Sequence, residues 1–595
     1  MGFCSSASAD DAFQSGHQQH APMWVVRVGH VLEMTGRLPP HQSLKAKGLL
    51  SQWSPEMFVI FVSHQWLGRQ HPDPMGEQLL VLQGVLKNII SRKLKIESDI
   101  VSQYYGRRPT KGELRRTAKA HVWLDYFSVP QLVDGHEPGV PEEQLLHVRS
   151  IPSYVDCCNI FLALVPDATH SETLSQCNFH SWLERGWCRT ELWSYSLSAR
   201  SKIPIVVVKS QDVAQFAAPL WHRYPVHLGD FAVEKDRASC STVIQTALTE
   251  HLGELSQVKN KTAYRLYRSL FEEMTGLARK QRSLEEFLSD FSFSNHLHRH
   301  KGLGPIACAA LSGDHVLVHT LAVAKASLQT SAPALPQTLN ASGYSPLHLA
   351  VWFRSHDLRM LETLLKLRAD PSSSSLTALP PLGLCSTVEA LELLVRHGAG
   401  INDQGNLAKS AVFSGKHLTQ YCPLHVAASF GAPCQVLARM VELKADVLGG
   451  RGGLASASPL HPLAFSGDSN NNLLSAQLLL QSRADMNQVC QPEGISRSVE
   501  LILRAYNRCC RGEPNALLRF VTNNSTTPVG WSVIFDNEGL LTLLLAARAD
   551  PELRNHRGLR PIDFARSERM RAILRDPQPH VYLLEHHSEL ISRHV

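Results

Sequence analysis

Six side chains in the first third of the sequence have types and positions suited to chemistry. Ser63, His64 and Trp66 follow an apolar run, Asp125 ends a second one, and Trp187 and Glu191 lie in Gly186-Trp187-Cys188-Arg189-Thr190-Glu191-Leu192. An ionised carboxylate such as Glu191, held in a dry site, would oppose a developing positive charge. Trp66 offers a face on which a planar ring could stack. Cys188 and His64 are the types needed for a thiol nucleophile and its base, although no spacing supports that pairing. A plainer account stands beside these. A glutamate in the first turns of a helix, close after an arginine, is commonly solvated or salt-bridged and is favoured by the helix dipole. On that account Trp187 and Cys188 only plug the edge of a sheet.

Metal chemistry is not indicated, and no metal site is expected. The thirteen cysteines include two adjacent pairs, Cys157-Cys158 and Cys509-Cys510, which make poor chelates and poor disulfides. Most read as small buried residues of a reducing compartment. The run His296-Leu297-His298-Arg299-His300 is a lone cluster that reads as a solvated linker.

Short β-rich runs alternating with helical patterns must position the six residues. Residues 57–63 form a first buried strand, and residues 76–93 a helix with Leu79, Leu82, Leu86 and Ile89 on one face. Strands at 121–125, 159–165 and 203–209 follow, with helices around 144–154 and 187–197 between them and a fifth short strand at 226–228. This alternation implies a parallel sheet covered on both faces. In such a sheet the ligand crevice lies beyond the carboxyl ends of the strands, where Ser63, His64, Trp66, Asp125 and the 187–191 turn all belong.

The punctuation of these elements resembles the Toll/interleukin-1 receptor (TIR) domain and the related fungal heterokaryon-incompatibility domain. Phe61-Val62-Ser63-His64-Gln65-Trp66 is similar to their strand-one box. Val122-Trp123-Leu124-Asp125 leading to Val129-Pro130-Gln131 is similar to the second box, and Ser150-Ile151-Pro152-Ser153-Tyr154 falls where a helix ends in both families. Trp187-Cys188-Arg189-Thr190-Glu191-Leu192 resembles the Trp-Cys-x-x-Glu-Leu of plant-type TIR domains. His64-Gln65-Trp66 departs from the usual residues after the first strand, and the inserts at 96–120 and 167–180 are long. The resemblance implies a flavodoxin-like parallel sheet that self-associates. Some members cleave NAD at the nicotinamide–ribose bond. There Glu191 would be the carboxylate facing an oxocarbenium-like ribose, as in glycosidases, with Ser63, His64, Trp66, Asp125 and Trp187 lining the substrate. NAD would be a substrate; no cofactor is expected.

The second half is organised by repetition. Ser345-Pro346-Leu347-His348-Leu349-Ala350 recurs as Cys422-Pro423-Leu424-His425-Val426-Ala427 and as Ser458-Pro459-Leu460-His461, with weaker copies at Pro305, Pro381, Pro528 and Pro561. The steps between these prolines are 41, 35, 42, 36, 69 and 33 residues, and the step of 69 suggests a degenerate repeat within 496–518. A hydroxyl before proline caps a helix start, and apolar helices follow that end in Arg-Ala-Asp, Lys-Ala-Asp or His-Gly-Ala. The pattern resembles the ankyrin family, whose Thr-Pro-Leu-His turn recurs near every 33 residues. Such helix pairs stack into a solenoid that binds a protein partner, and the motif histidines then buttress loops and are not metal ligands.

Composition agrees with two packed modules. The chain has 595 residues, 44% hydrophobic and 19% charged, with a formal charge of +6 and scattered basic residues, so nucleic acid is not an expected partner. The apolar runs are strand-sized, and no secretory signal is visible. Met1-Gly2-Phe3-Cys4-Ser5-Ser6 fits myristoylation at Gly2 and palmitoylation at Cys4, with Phe3 as a departure. The expected location is the cytoplasm, at a membrane only where these two residues are acylated. The expected organisation is an N-terminal tail (1–50), a TIR-like α/β domain (51–230), a helical connector (231–300), an all-α ankyrin-repeat solenoid (301–580) and a C-terminal tail (581–595).

Overall fold

The computed structural model describes residues 18–576, apart from 95, 99–108, 132–139, 199–204, 218–220, 295–302, 325–343, 374–378, 404–421, 449–456, 467–469, 491–499, 506–515 and 567. Gly2, Cys4 and the His296–His300 cluster lie outside the described residues. The chain divides into two compact units, and the division falls within the connector, so that residues 260–270 and 279 onward belong with the second unit.

The first unit is built on an eight-stranded sheet. Its strands are β1 (Trp24–Arg27), β2 (Leu50–Gln52), β3 (Val59–His64), β4 (Glu97–Ser98), β5 (His121–Leu124), β6 (Ile160–Leu164), β9 (Ile205–Val208) and β10 (Ala214–Ala217); a separate hairpin pairs β7 (Ala168–Thr169) with β8 (Gln176–Cys177). The sheet order is β2-β1-β5-β3-β6-β9-β10-β4. β5, β3, β6 and β9 are parallel, while β1 runs antiparallel to β2 and β5, and β10 antiparallel to β9. The sheet is therefore mixed, not all-parallel. A short connection makes β10 turn back antiparallel on β9, whereas the crossovers between the central parallel strands carry helices.

Two further expectations are corrected. Residues 24–46 are not tail: β1 pairs with β5, and the helices Val28–Glu33 and His41–Ala46 bury Val28, Val31 and Leu44 in the core. Residues Val226–Leu228 form a 3-10 turn and no fifth strand.

Strand alternation splits the core into two layers. Ile60 and Val62 of β3 face the helix Glu77–Ile90 through Leu79, Leu82 and Leu86. Val59 and Phe61 face the other side, where Phe61 stacks on Trp123 at 4.2 Å and the layer is closed by Trp182, Leu192 and Tyr195. Helix Gly186–Leu197 belongs to that second layer. The stretch read as connector holds the helices Glu234–Gln257, Thr262–Thr275 and Leu284–Asp290.

In the second unit the repeat chemistry is realised atom by atom. Ser345 caps the helix Pro346–Arg354, its Oγ accepting from His348 N at 3.3 Å. The second helices end in residues of positive φ: Arg368, Lys444, Arg483 and Arg548, with Gly398 at the equivalent place. Each motif histidine reaches the next repeat. His348 Nε2 meets Leu379 O at 2.9 Å, His425 Nε2 meets Ala457 O at 2.6 Å, and His461 Nε2 meets Thr526 O at 3.1 Å. Burial lowers the pKa of His348 and His461 to about 4, so each ring is neutral and donates one N–H to its carbonyl.

That last bond corrects the expected degenerate repeat within 496–518. The repeat that begins at Pro459 stacks directly on the one that begins at Pro528. Asn487 Oδ1 accepts from Asp550 N at 2.9 Å, the same tie that Asn402 makes with Asp446 N at 2.8 Å two pairs earlier. Cys490 N donates to Thr526 O at 3.0 Å, so the chain is back at Thr526 beside the place it held at Cys490.

Candidate functional site

The six residues singled out above gather at the carboxyl ends of β3 and β5, with one exception, and they do so in two groups. Ser63 and His64 are neighbours on β3, so the pleat sends them to opposite faces. Ser63 points into the layer of helix Gly186–Leu197 and donates its hydroxyl to Glu191 Oε2. Trp182 Nε1 donates to Ser63 Oγ at 3.0 Å, and since an indole N–H can only donate, the serine proton is left for Glu191.

His64 points into the other layer. Its Nδ1 lies 2.6 Å from Gln78 Oε1 and its Nε2 2.8 Å from Asp125 Oδ1. Trp66 Nε1 donates to Asp125 Oδ2 at 2.9 Å, and its ring stands edge-on to Tyr126. Tyr126 N donates to Asp125 Oδ1 at 2.6 Å, because Asp125 opens a short helix on which its own carboxylate can turn back. Ser63, His64 and Glu191 are buried, whereas the Asp125 side chain is about one-third exposed and marks where the site opens.

The electrostatics differ from the sequence expectation. Glu191 is not solvated, and near neutral pH its protonated form is favoured. Burial pushes its pKa up to about 8; the Ser63 hydrogen bond pulls the other way, and the Asp125 charge adds to the rise. For His64, burial opposes the charged form but is outweighed by the Asp125 carboxylate and by hydrogen bonds to Asp125 and Gln78, which raise it to about 9. Burial likewise works against the Asp125 carboxylate, and the His64 charge overcomes it, so Asp125 is held below its ordinary value. Near neutral pH the site therefore holds a His64 imidazolium paired with the Asp125 carboxylate, beside a protonated Glu191.

Both raised groups set the same pH dependence. The contribution of His64 to stability is full below about pH 6.5 and is lost as the pH climbs through 9. That of Glu191 is full below about 4.5 and is lost as the pH climbs through 8. The first unit is expected to lose stability between pH 6.5 and 9, and the Glu191→Gln variant to lose less of it. Thermal melts of both proteins at pH 6.5, 8 and 9 check this; parallel losses would remove Glu191 from the account.

One expectation fails here. Trp187 does not join the group: it is half-buried against the second layer, and its Nε1 donates to Asp236 Oδ2 at 3.1 Å. Its place on helix Gly186–Leu197 turns it toward the connector. Cys188 meets the His64 carbonyl, 3.6 Å away, and burial pushes its thiol well above the ordinary value, so it supplies no thiolate. Gln78 and Trp182 were not anticipated. Gln78 sits in the first turn of an apolar helix and Trp182 on the short helix Phe179–Glu184, so neither carries a local signal for what it touches. Among the described residues no cluster of three or more His, Cys, Asp or Glu side chains could hold a metal ion, and no helix is long and apolar enough to cross a membrane.

Comparison with known proteins bears on the second unit. Residues 342–375 match the family described as Ankyrin repeat. The crystal structure of the human ASB11 ankyrin repeat domain aligns at 15% identity and a TM-score of 0.32, covering 46% of this chain and 98% of that one. That of the ankyrin repeat domain of Bcl-3, described as a unique member of the IkappaB protein family, aligns at 20% identity and a TM-score of 0.29, covering 46% and 100%. No curated protein matches the sequence. The chain carries ankyrin repeats, a class of module that binds other proteins.

Proposed function

We propose that this chain is an adaptor of intracellular signalling, in which the ankyrin repeats choose a protein partner and a TIR-like N-terminal unit self-associates. The observation that carries the first part is the stack itself: three of the junctions between Pro346 and Pro528 are made by the same histidine-to-carbonyl bond. For the second part, the central strands follow the order second, first, third, fourth in chain sequence, which supports a flavodoxin-like reading. The boxes around Ser63 and Asp125 end β3 and β5, as that resemblance requires; the antiparallel edge strands depart from it. Partner binding should survive removal of residues 1–230 and be lost on removal of residues 341–580. Pull-downs with the two truncations check this, and the opposite dependence overturns the reading.

A second reading, NAD cleavage by the N-terminal unit, is favoured by one observation. Glu191 is a buried carboxyl with a strongly raised pKa, beside the His64–Asp125 ion pair, at the carboxyl ends of parallel strands. Perturbed carboxyls of this kind concentrate at functional sites. On this reading Glu191 acts as the carboxylate that faces the ribose, Ser63 positions it, and the His64–Asp125 pair with Trp66 lines the opening. Incubation of the purified chain with NAD tests it.

A further inference from the structure

The helix Pro528–Ile534 has neighbours on three sides. These are its own second helix Glu538–Ala546, the 3-10 turn Pro462–Ser466 of the preceding repeat, and Pro561–Phe564 of the following one. The fourth side of a first helix is the one a solenoid turns toward its binding groove. Here it is covered by the helix Ala516–Asn523, which belongs to the 491–525 excursion. Phe520 is buried there, its ring 4.9 Å from Trp531 in an edge-to-face contact and 5.3 Å from Phe535. Arg519 Nη2 donates to Ile534 O at 2.8 Å, placing a cation at the negative end of the helix Pro528–Ile534. At the far end of the segment, Arg557 Nη1 donates to Asn523 Oδ1 at 2.8 Å.

The ties that hold the two flanking repeats in register lie outside this segment. His461 with Thr526, Asn487 with Asp550 and Cys490 with Thr526 join the stack and close the base of the excursion. The short amphipathic helix Ala516–Asn523, held by Phe520, Arg519 and Asn523 and followed by Asn524, whose carbonyl accepts from Trp531 Nε1 at 2.8 Å, has the form of a helical ligand lying in a groove. We propose that the surface over Trp531 and Phe535 is a helix-binding site filled in cis by Ala516–Asn523. In trans it takes a partner helix that presents an arginine followed by an aromatic side chain, and the chain's own helix must be displaced first. This rests on the protein-binding reading of the repeats, but its test uses no natural partner, so the two fail separately.

The test replaces residues 491–523 of the full chain by a Gly-Ser linker and uses as probe a fluorescent peptide of residues 514–526. Saturable binding to the replaced chain is expected, about tenfold weaker or worse for peptides carrying Phe520→Ala or Arg519→Ala. Binding to the intact chain should be weaker by a similar factor, because its groove is occupied. A folded replacement chain that does not bind the peptide, or equal binding to both chains, overturns the proposal. Should the replaced chain fail to fold, hydrogen exchange on full-length Phe520→Ala decides. Faster exchange confined to Ala516–Asn523 supports a displaceable helix, whereas faster exchange shared with Glu538–Ala546 shows an integral part of the stack and overturns it.

Discussion

Glu191→Gln is expected to lower the rate of NAD cleavage by about 10²–10³ on the catalytic reading, the usual cost of losing one electrostatic contact to a transition state. The nicotinamide leaves as a neutral molecule, so the barrier lies in the positive charge that develops on the ribose, and only an ionised Glu191 opposes it. Glutamine keeps the size of the side chain and an oxygen for the Ser63 hydroxyl. It also replaces a group that is already neutral near pH 7, so the sheet should remain folded. The raised pKa adds a second signature. With a value of about 8, only about a tenth of Glu191 is ionised at pH 7. Wild-type cleavage should therefore climb from pH 6 and level off above 8, while any residual rate of the variant shows no such rise. On this reading self-association completes the site, so the assay belongs at high concentration or on vesicles that cluster the protein. Equal rates for the two proteins, or no cleavage under clustering, would leave the N-terminal unit as an interaction module.

Leu347→Asp is expected to unfold part of the ankyrin stack. Leu347 is 1% exposed, in the first turn of the helix Pro346–Arg354, between Ser345 and the His348 that reaches Leu379 O. An unpaired carboxylate there costs several kcal/mol, a large share of the ~5–15 kcal/mol that holds a typical domain together. Because each repeat touches only its neighbours, the loss should stay local. Hydrogen exchange should show protection lost in Pro346–Arg354 and Leu358–Lys366 and kept in Glu538–Ala546. Unchanged protection in the first two helices would mean that Leu347 is not a core position. Loss spread evenly to Glu538–Ala546 would mean that the stack is one cooperative block.

Local chemistry made the second unit legible. Ser345 before Pro346 and Thr527 before Pro528 cap helices, and the side chains that do so are neighbours in sequence. The Arg-Ala-Asp tails were legible for the same reason: the turn they make involves residues four or five apart. What failed there was the count across the step of 69 residues. A repeat and an excursion of similar length look alike until His461 is seen to bond Thr526.

In the first unit the sequence by itself determined which residues end strands. An apolar run of strand length closing on Ser63-His64, and another closing on Asp125, places three candidate groups at one edge whatever the sheet order. It could not determine how they are partitioned. The pleat sends Ser63 and His64 to opposite layers, and only packing decides that Ser63 meets a helix 128 residues later in the chain while His64 meets Gln78 and Asp125. The charge state was hidden for the same reason. A glutamate in the first turns of a helix reads as solvated, and burial against β3 is what turns Glu191 into a neutral acid. Burial and long-range pairing are properties of the packed structure, so the sequence determined the elements and their ends, and the tertiary structure decided which of those ends became a site.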